Sequence, residues 1–417
     1  MRAVVVDPTA GDDSAYRRFV QQAQRQGLLP DHLVRGEPYL ARNAVVLTRQ
    51  DTAQLIALTE RFSRAFTRAG QALAGDVAAV EAIGFPWAAA ELLSAEGVRT
   101  PLIGRFDFVQ DLDGHWWLLE LNADTPSGVR EATTVDRLAW RSLGAPAGLR
   151  RPNAWLSRAL VAAFRRALHD LPRGSWLGLV TDAGELEDLA QMAFTERLLR
   201  EPLRRLGIEV VLGDVDDLRQ SQRGVTLRGR RLAALYRYVP FETMFGTSAF
   251  AAIYDAVASG RLRVLNGLGG LLLQHKGLLA WLWGHADDRA LPRPERAAIQ
   301  EHLPPTWWIE AVPHGMPRES LVAKQVFGRE GEEVFFGEDL DTATWRQLAE
   351  RRTYVAQQRV HVAEIDAVVQ SSLGAELMRG SATIGCFAVD GRWAGYYTRL
   401  GGKIITSRAK WLATFEE

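Results

Sequence analysis

Cysteine is almost missing from this sequence: Cys386 is the single one in 417 residues. That excludes an internal disulfide and any multi-cysteine metal site. Cys386 lies in the apolar run SATIGCFAVDG with no histidine near it in sequence, so it reads as a buried small hydrophobe and not as a catalytic thiol. An excess of charge is missing too. Lys plus Arg and Asp plus Glu both number 50, giving a formal net charge of zero, and no global field points to nucleic acid or an anionic membrane as partner. The most apolar stretch, 262–283, is broken by Arg263 and by Gln274-His275-Lys276, which argues against a membrane span. The opening MRAVVVDPTAGDD has too short an apolar run for a signal peptide, so the cytoplasm is the expected location. No period of roughly 20 to 50 residues repeats, which excludes solenoids and propellers. There is also no G-x-S-x-G elbow, no HExxH pair and no G-x-x-x-x-G-K-[ST] loop, so the signatures of serine hydrolases, zinc proteases and P-loop enzymes are lacking.

What is present is the composition of a globular protein, 47% hydrophobic and 24% charged, over a length that accommodates two or three lobes. Apolar positions at helical spacing predict a helix over 51–70 with Asp51 as its N-cap. A strand–turn–strand is expected over 102–122, and the Gly/Pro/Arg-rich segment 141–153 reads as a connection between lobes. Strand signals at 176–182, 208–214 and 232–240, with a helix over 186–206, follow the βαβ rhythm of a parallel sheet. Residues 286–306 are charged and Pro-rich and read as a surface segment. The last hundred residues alternate in the strand manner between Gly-containing turns. The class is α/β (α+β), divided into an N-terminal part at about 1–150, a βαβ lobe at about 151–260 and a third part at about 261–417.

The chemistry concentrates in RFDFVQDLDGHWWLLELNADTPSG, 105–128. Asp113-Gly114 is a strong hairpin signal. With a two-residue loop, Asp107 lies opposite Glu120 and Arg105 opposite Asn122, all on one face. Phe106, Phe108, Trp117, Leu119 and Leu121 take the other, core-facing side. An ordinary hairpin with a weak surface ion pair is the bland reading. Two carboxylates gathered with an amide on one face instead repel unless a cation or an arginine neutralises them, and hard oxygen ligands suit Mg²⁺ with nucleotide phosphates. Thr125, Ser127 and the backbone amides of the following turn are placed to hold a polar or anionic substrate.

RFDF…LLELNADTPSG, followed by Arg130 and Glu131, resembles the synthetase domain of glutathionylspermidine synthase, a circularly permuted ATP-grasp ligase. The resemblance continues in order through YRYVPFETM (236–244), LNGLGGLLLQHKGLLAWLW (265–283), VAKQVFGREGEEV (322–334), YVAQQRV (354–360) and GCFAVDGRWAGYYTRLGGKIIT (385–406). It implies a circularly permuted ATP-grasp fold with a smaller βαβ substrate-side lobe, and ATP and Mg²⁺ as cofactors. It assigns the metal to Asp107, Glu120 and Asn122, and stabilisation of the transferring phosphoryl group to Arg105. Lys276, Lys324, Arg399 and the loop Gly328, Arg329, Gly331 fall to the phosphates, and Gln357 and Gln358 to the adenine. Thr125 and Ser127 fall to the substrate. Glu187 and Asp188 align loosely with acids near the peptide substrate and, by position, read as solvated acids in a helix first turn. The activity implied is ligation of a small-molecule or peptide carboxylate to an amine through an acyl phosphate. No cysteine precedes Cys386, so the amidase that often accompanies this domain is not expected. Two other readings stand beside it: a non-catalytic nucleotide-binding relative, and a hydrolase using Asp107 and Glu120 as an acid/base pair.

Overall fold

In the computed structural model, residues 13–27, 33–34, 37–142, 147–328, 331, 333–371, 374–406 and 408–417 are described. Strands Ile103–Gln110 and Trp116–Asn122 pair antiparallel, with Arg105 opposite Asn122 and Asp107 opposite Glu120. Two departures from the expected hairpin cancel to produce this register. The loop holds three residues: Asp111 N–H donates to His115 O at 2.9 Å, and Gly114 closes the turn at φ +83°, a left-handed conformation that glycine adopts without Cβ strain. That loop would slide every pair by one residue. A bulge at Leu119, between the Asp107 and Phe108 pairings, slides them back.

The bulge also changes which side chains face the core. Trp116 and Leu118 are fully buried beside Phe106, Phe108 and Leu121. Trp117 and Leu119, expected on that side, turn the other way: Trp117 donates its indole N–H to Asp111 at 2.8 Å, and Leu119 lines a cleft.

The hairpin is one edge of a seven-stranded sheet whose order runs Leu40–Leu47, Lys410–Glu416, Arg392–Gly401, Gly374–Val389, Ile103–Gln110, Trp116–Asn122, with Glu364–Ser371 paired to Gly374–Val389. Strands from the first 150 residues and from the last 50 thus share one sheet. Its apolar face packs on the helix Arg49–Ala74, which presents Leu55, Leu58, Phe62, Ala65, Phe66 and Ala69 at helical spacing. Phe66 meets Phe106 edge-on at 5.8 Å. The helix begins earlier than expected. Thr48 is its N-cap and Asp51 the third helical residue of a capping box. The Asp51 carboxylate also accepts from Trp116 Nε1 at 2.9 Å, tying the helix start to the hairpin.

The second sheet has a parallel core in the order Ile208–Asp214, Ser175–Thr181, Arg230–Arg237, Arg263–Leu265. The helix Leu186–Arg204 crosses between the first two, completing the expected βαβ unit. A third, antiparallel sheet runs Thr306–Trp308, Tyr354–Gln358, Leu321–Gln325, Val334–Phe336. Segment 286–306 is only in part the surface segment its composition suggests. It contains the helix Arg293–His302, which buries Glu295, Ala298, Ile299 and His302. Arg64 and Arg68 of the long helix meet the buried Glu295 at 3.4 and 3.1 Å. Asp287, Asp288, Arg289, Arg293 and Glu301 are exposed, as the composition suggests, and Glu295 is the charge taken into the packing. Among the described residues no helix is long and apolar enough to cross a membrane.

Candidate active site

The polar face of the hairpin opens into a cleft of about 510 Å³ reached by strands of the seven-stranded sheet and of the small antiparallel sheet. Asp107 is the hub at its floor. Arg105 grips the carboxylate with two parallel bonds, Nε to Oδ1 at 2.7 Å and Nη2 to Oδ2 at 2.9 Å. Arg399 Nη2 donates to Oδ2 at 3.0 Å and Asn122 Nδ2 at 3.2 Å. The remaining Arg105 nitrogen reaches Ser127, donating to its carbonyl at 2.8 Å and its hydroxyl at 3.0 Å. Burial would lower the Arg105 pKa, but Asp107 outweighs it and holds the guanidinium more firmly protonated. These groups fit because Gly385, on the next strand, has no side chain. A Cβ there would stand 2.7 Å from Arg105 Cδ, 2.8 Å from the Tyr397 carbonyl and 3.0 Å from Asp107 Oδ1.

Glu120 faces a different set of cations. Lys276 Nζ lies 3.6 Å from its carboxylate and donates to the Gly328 carbonyl at 2.6 Å. Lys324, from the small sheet, donates to Gln357 Oε1 at 2.6 Å, and Gln357 donates to Thr306 Oγ1 at 3.2 Å. Burial would raise the Glu120 pKa, but Lys276, Lys324, Arg399 and Arg105 together pull it down to about 2. Burial pushes Lys324 the other way, to about 8, with Glu120 opposing and Lys276 adding to the effect. Over these six side chains, four cations face two carboxylates, an excess of two positive charges (Arg105, Lys276, Lys324 and Arg399 against Asp107 and Glu120). Such a site draws a polyanion.

The turn after the hairpin is fixed from the parallel sheet. Arg237 and Asp124 are both 0% exposed and form an ion pair. Arg237 also donates to the carbonyls of Val239 and, at 3.1 Å, Asn266, while Phe241 N–H donates to Asp124 at 3.2 Å. Asn266 donates to the carbonyls of Ile103 and Ala123 at 2.6 and 2.9 Å, and Gln274 accepts from the amides of Ala123 and Asp124, each at 3.1 Å. The segments YRYVPFETM and LNGLGG thereby hold Thr125 and Ser127 at the cleft wall.

Arg105, Asp107, Glu120, Asn122, Thr125, Ser127, Lys276, Lys324, Gly328, Gly331, Gln357, Gln358 and Arg399 all line this one cleft. Arg329 lies outside the described residues. Asp188, read from sequence as a solvated acid, lines the cleft beside Tyr238, whereas its neighbour Glu187 is exposed. Lys403 lines it as well and pairs with Glu338 at 2.5 Å and Asp339 at 3.0 Å. Sequence reasoning passed over Lys403, Tyr397 and Arg237. The last was discoverable, since an arginine inside an apolar strand (LAALYRYVP) requires a buried acid. Asp107, Glu120 and Asn122 form an oxygen-rich set at one end of the cleft. Asn122 spends an N–H on Asp107, so its carbonyl oxygen is what it offers a metal. No group of three His, Cys, Asp or Glu forms a metal cage among the described residues. Two carboxylates suit Mg²⁺ in the mode where water and phosphate complete its shell, with Asp107 giving up one of its arginine bonds to take part.

A family model described as glutathionylspermidine synthase preATP-grasp matches residues 14–415. A glutathione synthetase-like effector from Globodera pallida, solved in the apo form, superposes with TM-score 0.69 over 96% of both chains at 12% identity. That likeness is one of fold. A Methylobacillus flagellatus chain, named as a candidate gamma-glutamylcysteine synthetase, aligns over 86% of this chain and 87% of its own at 12% identity; its TM-score of 0.44 is too low to carry an argument. A Frankia casuarinae protein, named as a candidate glutamate–cysteine ligase 2-2, is 30% identical over 200 residues. The match takes in 45% of this chain and spans 22% of that relative's length.

Gly385→Ala is expected to push Arg105 off Asp107. Overpacking of this kind costs about 1–3 kcal/mol, so the variant should unfold at lower urea and bind a polyanion such as tripolyphosphate more weakly by calorimetry. Wild-type affinity would show that the glycine is not needed. Lys324 is charged below about pH 8 and neutral above it, so anion affinity should fall as pH rises from 7.5 to 9.5. A single proton is involved, giving at most about tenfold per pH unit. Lys324→Met should flatten the profile.

Proposed function

Because the chain belongs to the glutathionylspermidine synthase preATP-grasp family, we propose that it is an ATP-dependent carboxylate–amine ligase, forming an amide through an acyl phosphate. The observation that carries this reading is the excess of two positive charges around the paired carboxylates Asp107 and Glu120. A triphosphate neutralises that excess, and the two acids keep a place for its metal.

In this reading Lys276, Lys324, Arg399 and the loop Gly328, Arg329, Gly331 hold the phosphates, and Gln357 and Gln358 border the adenine. Asp107, Glu120 and the Asn122 oxygen would hold Mg²⁺, which supplies charge neutralisation at the phosphates when bound. Arg105 faces the transferring phosphoryl group with its charge already fixed, so no reorganisation is needed as charge develops. A substrate carboxylate beside Thr125 and Ser127 attacks the terminal phosphorus and ADP leaves. An amine nitrogen then attacks the acyl carbon, phosphate leaves, and the proton of the amine passes to solvent or a phosphate oxygen. The walls of the cleft shield the acyl phosphate from water.

An acid/base hydrolase is disfavoured by the geometry. The Asp107 carboxylate accepts four hydrogen bonds from Arg105, Arg399 and Asn122, and Glu120 is held ionised. Glu120 is therefore not placed to cycle a proton near neutral pH.

Glu120→Gln keeps the shape of the side chain and faces the ligand, so the fold should persist, with a lowered unfolding midpoint because Lys276 and Lys324 lose the carboxylate they face. Mg²⁺-dependent ADP release on adding pooled carboxylic acids and amines should fall by about 100-fold or more, the scale of removing one charge-stabilising group. Unaltered ADP release in the variant contradicts the assignment.

A further inference from the structure

Three neighbouring strands carry Asp107, Gly385 and Tyr397 side by side on the cleft face. Arg105 reaches Asp107 across the gap that Gly385 leaves, and its guanidinium carbon lies 5.2 Å from the centre of the Tyr397 ring. Arg399, two residues along from Tyr397, places its own guanidinium 5.8 Å from the same ring. One aromatic ring therefore meets both arginines that converge on Asp107.

The ring is itself held on two sides. Its hydroxyl is 2.6 Å from the hydroxyl of Tyr39, a residue at the far edge of the large sheet. Gly128, at φ +96°, lies against the ring so closely that a Cβ would stand 2.5 Å from Tyr397 Cδ2. The turn carrying Thr125 and Ser127 thus rests on the same ring as the arginines, and Ser127 is also an Arg105 partner. Such convergence is more than a buried tyrosine needs.

We propose that Tyr397 is a positioning residue: its ring is the shelf on which Arg105 and Arg399 are aligned toward the terminal phosphate, and Tyr39 fixes that shelf through the paired hydroxyls. The inference rests on the reading of the cleft as an ATP site. Without the ring, the guanidinia keep their charge but lose their common support. Contacts to the terminal phosphate suffer, while contacts made by Lys276 and Lys324 to the rest of the nucleotide do not.

The test is calorimetric titration with Mg-ATP and Mg-ADP of the whole chain, wild type and variants. Tyr397→Leu should cut the preference for ATP over ADP by about tenfold, within the range of two cation–π contacts, and leave ADP affinity within about twofold. Tyr397→Phe keeps the ring but loses the hydroxyl pair, so it should recover most of the preference and fall only about two- to threefold short of the wild type. Tyr39→Phe, which breaks the same pair, should match it. If the leucine variant does not fold, Tyr397→Met, which fills the space without an aromatic face, carries the same expectation. A folded Leu or Met variant that keeps the wild-type preference overturns the proposal, as does an equal loss of ATP and ADP affinity, the mark of a merely structural role. A wild type that binds neither nucleotide overturns the ATP reading, and the proposal with it.

Discussion

The ion pair of Arg237 and Asp124 is the contact on which the arrangement depends. Both side chains are wholly buried, and removing one partner of such a pair strands the other charge in the interior, a cost of about 3–5 kcal/mol. Arg237 comes from the centre of the parallel sheet, Asp124 from the turn that ends the hairpin. Asn266 and Gln274 reinforce the same turn through its backbone. The pair therefore docks one sheet on another and, in doing so, sets the position of Thr125 and Ser127 relative to Arg105.

Around this anchor the cleft is assembled from groups that balance one another. Asp107 and Glu120 lie opposite each other across two strands and would repel. Arg105 and Arg399 neutralise the first, Lys276 and Lys324 the second. Arginine serves where planar, paired bonds fix an orientation, and lysine where a charge must reach a ligand across a gap. In the proposed reading, the surplus positive charge is the property that a polyphosphate would complete.

Much of this was legible in sequence because a hairpin's alternation is local. Arg105, Asp107, Glu120 and Asn122 share a face whatever lies beneath them, and a shared face is what the period of two encodes. The loop length and the Leu119 bulge were not legible, since each is invisible without the other and their effects cancel in the functional pairs. Trp117 and Leu119 fell on the wrong side for that reason. Residues 286–306 misled because composition does not reveal that Arg64 and Arg68 await Glu295 on a distant helix. Asp188 and Tyr397 enter the cleft region only through tertiary contacts between distant segments. Neither has a pattern of its own in the chain.

The claim at the centre of this account is that the cleft between Glu120, Lys276 and Lys324 is a magnesium–nucleotide site. Its most direct test is the unfolding temperature of the wild-type protein with and without millimolar ATP and Mg²⁺. A ligand at about a hundred times its dissociation constant adds about 2.7 kcal/mol to the folded state, so the temperature should rise clearly with ATP plus Mg²⁺ and much less with AMP. An unfolding temperature that ATP and Mg²⁺ leave unchanged contradicts the account.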